Sequence, residues 1–315
     1  MAPSRRIRHA VSRAFAPGAI TNFFAVDYNS SLHPVGATGG GYVLSEGTES
    51  TATISKGHDG IAVSVNGDAG YSARTTRRAV QLLLTGTGGG FGDVRLYQTV
   101  GTPIGSGFGS SAASAVSAVY AVAKAAGIRG PRKELALFAH RAEILEQTGL
   151  GTASVVYNSV GAGAIIRAGA PGQAKFITVR VPRDLRIVTA FVAPCDKRKV
   201  LSSRKISERI SSLGHSALEA FLSDPSLDSL ASEGEKFSMA LGLESPEVKK
   251  LISRAKSSGA SYASQNMVGY AVHSLTDEDR SRKVAAAMRD VSSEVRVDTF
   301  EVGTRRAGVV RSSRR

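Results

Sequence analysis

The sequence predicts an α+β protein in two domains. Three observations carry that expectation. The first third reads as short strands punctuated by Gly, Asn and Asp, a long Ala/Val/Ser helix sits near the middle, and the chain beyond Asp196 is mostly helical. Strands and helices do not alternate regularly, so a doubly wound parallel sheet is not expected. A length of 315 residues, at roughly 150 residues per domain, suggests about two domains. The junction is expected near residue 182, giving an N-terminal nucleotide-binding unit over 1–182 and a C-terminal unit over 183–315.

Five early segments carry β-branched or alternating apolar residues: Ala14 to Phe24, Gly41 to Ser45, Thr51 to Ser55, Ile61 to Val65 and Val94 to Val100. The run Gly86 to Gly92 is too glycine-rich for a regular element. A helix follows from Ser110 to Ala126, stopped by Gly127. A second begins after Pro131, with Leu135, Phe138, Ala142 and Leu145 at helical spacing. Strands return at Gly163 to Ile166, Lys175 to Val181 and Arg186 to Val192. Helices are expected over Ile206 to Leu222, Gly234 to Leu241, Pro246 to Lys256 and Asp277 to Asp290, with a closing strand at Val295 to Val302.

Composition narrows the function classes. Hydrophobic residues make up 42% of the chain, enough for a packed core. No apolar run approaches the ~20 residues of a membrane helix; the nearest, Ala112 to Ala126, carries Lys124. The basic N-terminus is followed by no apolar stretch, so it does not read as a secretory signal. Cys195 is the single cysteine, which excludes an internal disulfide and any multi-cysteine metal site. These features are read as a soluble, cytoplasmic protein with no membrane partner.

The net charge is +14, but it is concentrated at the ends. Arg5, Arg6, Arg8 and Arg13 lie before the first acid, and Arg305, Arg306, Arg311, Arg314 and Arg315 follow the last one. Basic tails read first as solvated ends. With no Trp, 6% aromatic content and no zinc-finger or RRM signature, a nucleic-acid partner has little support in the sequence.

The sharpest signal is Pro103-Ile104-Gly105-Ser106-Gly107-Phe108-Gly109-Ser110-Ser111-Ala112, after a predicted strand and opening the long helix. Alternate glycines let backbone approach a ligand closely. The helix start adds unpaired N–H groups and the positive end of its dipole, a combination that favours phosphate. Pro103, Gly105, Ser106, Gly107, Phe108, Gly109, Ser110 and Ser111 are therefore the candidate nucleotide-binding residues. The Gly-Lys-Ser/Thr ending of a Walker loop is absent, and no acidic residue ends a second strand ~20 residues on, as a dinucleotide site would require.

These ten residues resemble the second motif of the GHMP kinases (galactokinase, homoserine, mevalonate and phosphomevalonate kinases) at every fixed position. The resemblance covers most of the chain. Ala14 to Phe24 is similar to the first motif. Ile20-Thr21 followed by Phe23-Phe24, Val35 to Tyr42, and Phe108 inside the loop resemble the archaeal pantoate-kinase branch. So do Ala139-His140-Arg141-Ala142-Glu143, Thr148-Gly149-Leu150-Gly151, and Ser264 to Tyr270, the last being similar to the third motif without its usual glycine run. The resemblance implies a two-domain GHMP kinase fold, ATP as phosphoryl donor with Mg2+, and pantoate as acceptor, giving 4-phosphopantoate for coenzyme A synthesis. A homodimer is left open.

Site expectations follow residue by residue. Glu143 with Ser111 would hold Mg2+, which takes one or two protein oxygens and keeps phosphate and water as its other ligands; the bland reading of Glu143 is a solvated charge. His140 shares a helix face with Glu143 and would hydrogen-bond substrate, or else is a core histidine. Arg167 is the candidate clamp for the substrate carboxylate, because its guanidinium matches a carboxylate bidentately. Ser30 or Ser31 would lie over the substrate. Pantoate kinases commonly follow Thr-Gly-Leu-Gly with Asp, placed to accept the hydroxyl proton; this chain has Thr152, and no carboxylate follows until Asp184. Homoserine kinase is similar in lacking that base, so Thr152 would position the hydroxyl while transfer proceeds without a protein base. Two rivals stay open: a kinase of a mevalonate-like hydroxy acid, and a non-catalytic GHMP-fold protein binding through its arginine tails.

Overall fold

The structure is a computed structural model that describes residues 10–28, 34–55, 57, 60–89, 92–158, 161–195 and 203–310. It opens with a long antiparallel pair, β1 (Ala10–Tyr28) and β2 (Pro34–Ser55), where three short strands were expected. Shifts of register at Pro17/Ala19, Thr21/Phe23 and Asp27/Tyr28 let this ribbon bend. The bend explains why the sequence reads as separate pieces: each shift resets the apolar alternation. Strand β3 (Ile61–Val65) precedes α1 (Arg74–Gly86), which the sequence reading missed. Its buried apolar residues are Ala79, Val80, Leu83 and Leu84, preceded by Arg77 and Arg78, and its N-terminus carries no side-chain cap.

After β4 (Asp93–Val100) come α2 (Ser110–Ala125), α3 (Arg132–Leu145) and the short α4 (Thr152–Asn158). Helix α2 is buried on nearly all sides, which its Ala, Val and Ser residues permit because small side chains let neighbours approach. Then follow β5 (Ala162–Arg167), β6 (Lys175–Val179) and β7 (Leu185–Ala193), and the helices α5 (Arg204–Ser223), α6 (Leu227–Leu241) and α7 (Pro246–Ser257). Strands β8 (Tyr262–Gln265) and β9 (Tyr270–Asp277), α8 (Glu278–Arg289), β10 (Arg296–Phe300) and β11 (Gly308–Val309) complete the described chain. Strands β8 and β9 were not expected; the Ser264 to Tyr270 motif runs from the end of β8 through the turn to the start of β9.

Two sheets result. The first has the order β11-β1-β2-β4-β3, and β2 pairs β4 along its second half and β5 along its first, with β6 outside β5. The second is β10-β7-β9-β8, all antiparallel. The change of sheet falls between Val179 and Leu185, close to residue 182. The C-terminal half is not closed on itself, however, since β11 returns to pair with β1 and Ala307 packs in the first core. One core lies between the first sheet and α1 to α3, and a second between the bent end of β1/β2 and α5/α6. A third lies under the second sheet against α7 and α8. No described helix is long and apolar enough to cross a membrane.

Candidate active site

Ser203, Ser226, Ser245 and Asp277 cap α5, α6, α7 and α8 by accepting from backbone N–H groups three residues on. Helix α3 has no such cap and starts outside the cleft; α1 and α2 have none either. Their N-cap residues, Ala73 and Gly109, are both left-handed, at φ 41° and 67°, and their first N–H groups carry no side-chain acceptor. Residues of both helix starts line one cavity of about 520 Å3, together with Gly105, Gly107, Phe108, Ser110, Ser111, Glu143, Thr148 and Thr152. Two uncapped helix N-termini around one cleft are a natural seat for phosphates.

The loop holds its shape through contacts on its far side. Gly105, Gly107 and Gly109 all have positive φ, and a methyl on Gly107 would stand 3.0 Å from Asn266 Cβ. Ser106 also has φ 48°, is fully buried, and faces away from the cleft: it donates to Ala193 O, and Tyr270 N donates to its hydroxyl at 3.2 Å. Phe108 is buried against Phe191 with ring centroids 6.4 Å apart. Pro103 is buried outside the cavity lining. Ser106 and Pro103 therefore fasten the loop, Phe108 packs on Phe191 while also lining the cavity, and the glycines, Ser110 and Ser111 face the ligand space.

Below the loop lies a buried polar cluster. His273 Nε2 is 3.0 Å from Asn22 Oδ1, and Nδ1 is 2.7 Å from the Asn266 amide. Burial pushes the His273 imidazole down to about 3, so the ring is neutral near pH 7. Asn22 Nδ2 donates to Leu230 O at 2.6 Å, so Asn22 Oδ1 accepts from His273 Nε2–H and from Ser264. His273 Nδ1 is then an acceptor, and the Asn266 amide must turn its NH2 toward it, which also gives that group a partner.

Glu143 is 1% exposed. It lies in the last turn of α3, with Oε2 accepting from Ala153 N at 3.1 Å at the start of α4. This hydrogen bond leaves its remaining lone pairs available toward the cavity. Among the described residues no group of three or more His, Cys, Asp and Glu could hold a metal ion. The Ser111 hydroxyl and the Glu143 carboxylate are hard oxygen donors lining the same cleft, a set that suits Mg2+ bound mainly by phosphate and water.

A second cavity of about 530 Å3 adjoins the first and shares Gln147, Thr148 and Thr152 with it. Ile20, Phe24, Val26, Leu150, Val155 and Ile165 give it apolar walls, and Gly39 to Gly41 form part of its floor. No Arg, Lys, His, Asp or Glu among the described residues lines it.

Two expected substrate contacts lie elsewhere. Arg167 is exposed and lines neither cavity; β5 has a register shift between Ile165 and Arg167, so the alternation that points Ile165 inward does not carry over. His140 is buried but also lines neither cavity. It sits one turn back from Glu143, about 4.5 Å along the helix, with Nδ1 3.9 Å from Glu143 Oε2. Ser30 and Ser31 lie outside the described residues. Sequence reasoning missed Ala73 to Thr76, Gln98 and Gln147 because α1 went unread and because Gln147 owes its place to a left-handed backbone, φ 54°.

Residues 74–158 match the family described as GHMP kinases N terminal domain. The chain also superposes on a homoserine kinase from Cytophaga hutchinsonii (TM-score 0.67, 17% identity, 96% of this chain and 98% of that one). It superposes equally on the Methanococcus jannaschii mevalonate kinase (TM-score 0.68, 13% identity, 94% and 99%). With the phosphate loop and cleft described above, the chain is similar to the GHMP kinases, a family of ATP-dependent small-molecule phosphotransferases. Within that family it is similar to the pantoate kinase of Thermococcus kodakarensis, 26% identical over 304 residues that cover 95% of this chain and 98% of the relative. It is 27% identical over 270 residues to that of Methanospirillum hungatei (83% and 86%). A solved structure described as a phosphotransferase related to the CoA biosynthesis pathway superposes with TM-score 0.83 at 26% identity, over 96% of this chain and 99% of that one.

Proposed function

We propose that this chain is a pantoate kinase, transferring the γ-phosphoryl group of ATP to the primary hydroxyl of (R)-pantoate to give 4-phosphopantoate and ADP in coenzyme A biosynthesis. The end-to-end match to pantoate kinases supports the substrate. The observation that carries the chemistry is the junction of the two cavities at Thr148 and Thr152, where a hydroxyl in one meets a phosphate chain in the other.

The residues divide the work. Backbone N–H groups at the starts of α1 and α2, with Gly105, Gly107 and Gly109, bind and orient the phosphates. Ser111 and Glu143 would hold Mg2+, which supplies charge neutralisation at the β- and γ-phosphates when bound. The apolar walls receive the substrate's gem-dimethyl carbon. Thr38, whose buried Oγ1 has no hydrogen-bond partner among the described residues, Asn158 and Thr178 offer its oxygens neutral donors. Thr152 positions the attacking hydroxyl. Among the described residues Glu143 is the one carboxylate lining either cavity, so the proton leaves late to a phosphate oxygen or water. A loose transition state with little bond formation to the nucleophile tolerates this. An ADP-release assay over pantoate, mevalonate and homoserine tests the reading: turnover should be highest with pantoate, and preference for mevalonate would overturn the substrate.

A further inference from the structure

Among the described residues the nucleotide cleft is lined by one cationic side chain, Arg74, the first residue of α1. The adjoining cavity has none. A triphosphate with one Mg2+ keeps net negative charge, and transfer spreads charge over the oxygens of the γ-phosphoryl group. The phosphate loop and Ser111 offer neutral donors, and Glu143, when ionised, is an acceptor only. An arginine at the first position of a helix also opposes the helix dipole, and α1 has no acid in its first turn to offset it. An anion bound beside that helix start answers both.

The contacts of Arg74 leave it able to turn toward a ligand. Its Nε lies 3.7 Å from Glu146 Oε2, longer than a hydrogen bond, whereas Arg78 Nε donates to Glu146 Oε1 at 3.1 Å. Glu146 therefore keeps a hydrogen-bonded partner when Arg74 leaves, and a half-exposed ion pair of this kind contributes little to stability. The side chain is also rooted where the reaction would occur. The hydroxyl of the next residue, Thr75, is 3.1 Å from that of Thr148, and Thr148 lines both cavities. The start of α1 thus stands at the junction, where an acceptor hydroxyl meets the terminal phosphate.

We propose that Arg74 binds the γ-phosphate of the nucleotide, leaving Glu146 as ATP enters and holding the transferred phosphoryl group at the junction of the two cavities. This rests on the ATP-dependent transfer proposed above. The guanidinium fork matches two phosphate oxygens at once, which fixes the direction of the phosphoryl group as well as its charge. A purely structural Arg74–Glu146 pair would instead tie α1 to the turn after α3, and its loss would affect ADP and ATP alike.

Calorimetric titration of the full chain with ADP and with the non-hydrolysable β,γ-imido analogue of ATP, in Mg2+ and without acceptor, tests this. Arg74→Gln should weaken binding of the analogue about tenfold, the scale of a hydrogen bond to a charged group, and leave ADP binding within about twofold. Arg74→Lys, which keeps the charge but not the fork, should recover part of the loss. In steady-state ADP release Arg74→Gln should lower kcat by about 100-fold, and its thermal midpoint should stay within a few degrees of the parent's, as for other surface substitutions. Equal weakening of both ligands, or unchanged affinity for the analogue, would overturn the proposal. Because the titrations contain no acceptor, they decide the role of Arg74 whichever hydroxy acid the enzyme prefers. A parent chain that binds neither nucleotide would overturn the kinase reading and this proposal with it.

Discussion

Glu143 occupies the space that a side chain at Gly149 would need. A methyl at position 149 would stand 2.2 Å from Glu143 Oε1 and 3.0 Å from Thr152 Oγ1. The glycine therefore sets where the carboxylate and the threonine hydroxyl stand relative to each other. Gly149→Ala should cut turnover by about 100-fold, the scale of losing a preorganised electrostatic contact, with little change in thermal midpoint. Steady-state ADP release alongside thermal melting checks this, and a variant with parental turnover would remove Glu143 from the reaction.

Ser111→Ala and Glu143→Gln should each lower kcat by about 100-fold and raise the Mg2+ concentration needed for half-maximal rate. The two losses should not add in the double variant if both side chains act on one ion. Titrating Mg2+ at saturating ATP provides the measurement.

Thr152→Ala should cost on the order of tenfold, far less than Glu143→Gln, if its hydroxyl positions the acceptor and takes no proton. Thr152→Asp offers a sharper comparison. If transfer needs no protein base, the added carboxylate should not raise kcat, and a large gain measured by ADP release would show that a base was missing.

Arg167→Ala should leave KM for pantoate within about twofold, since exposed substitutions away from a site seldom exceed ~0.5 kcal/mol. A large rise in that KM would bring Arg167 back as the carboxylate clamp.

Stability should depend on His273. Its imidazole stays neutral in the folded protein down to about pH 3, whereas in the unfolded chain it takes up a proton near pH 6.5. The unfolded state thus binds more protons between these values, and stability present above pH 6.5 falls as pH drops, by up to about 1.4 kcal/mol per pH unit from this group. Melting curves from pH 7.5 to 5 should show a steeper decline for the parent than for His273→Gln.

Much of the fold and part of the site were legible in the sequence. The ten-residue loop was readable because every feature it needs is local: glycines for left-handed backbone, and a helix start immediately after. Helices α5, α7 and α8 were readable nearly end to end, whereas α6 was expected only from Gly234 although it starts at Leu227, capped by Ser226. Only the tertiary structure decided the rest. Helix α1 is held by packing against α2 and α3 rather than by its own ends. Ser106 looks like a ligand contact in the sequence but faces away from the cleft, because its partners Ala193 and Tyr270 are more than 80 positions away. Arg167 lies outside both cavities, past a register shift that alternation alone does not reveal. The pairing of Ala14 with Val309 likewise joins segments far apart in the sequence, which no local pattern reveals. Local chemistry is written in neighbouring residues, whereas the surroundings of a side chain depend on contacts between segments far apart in the chain.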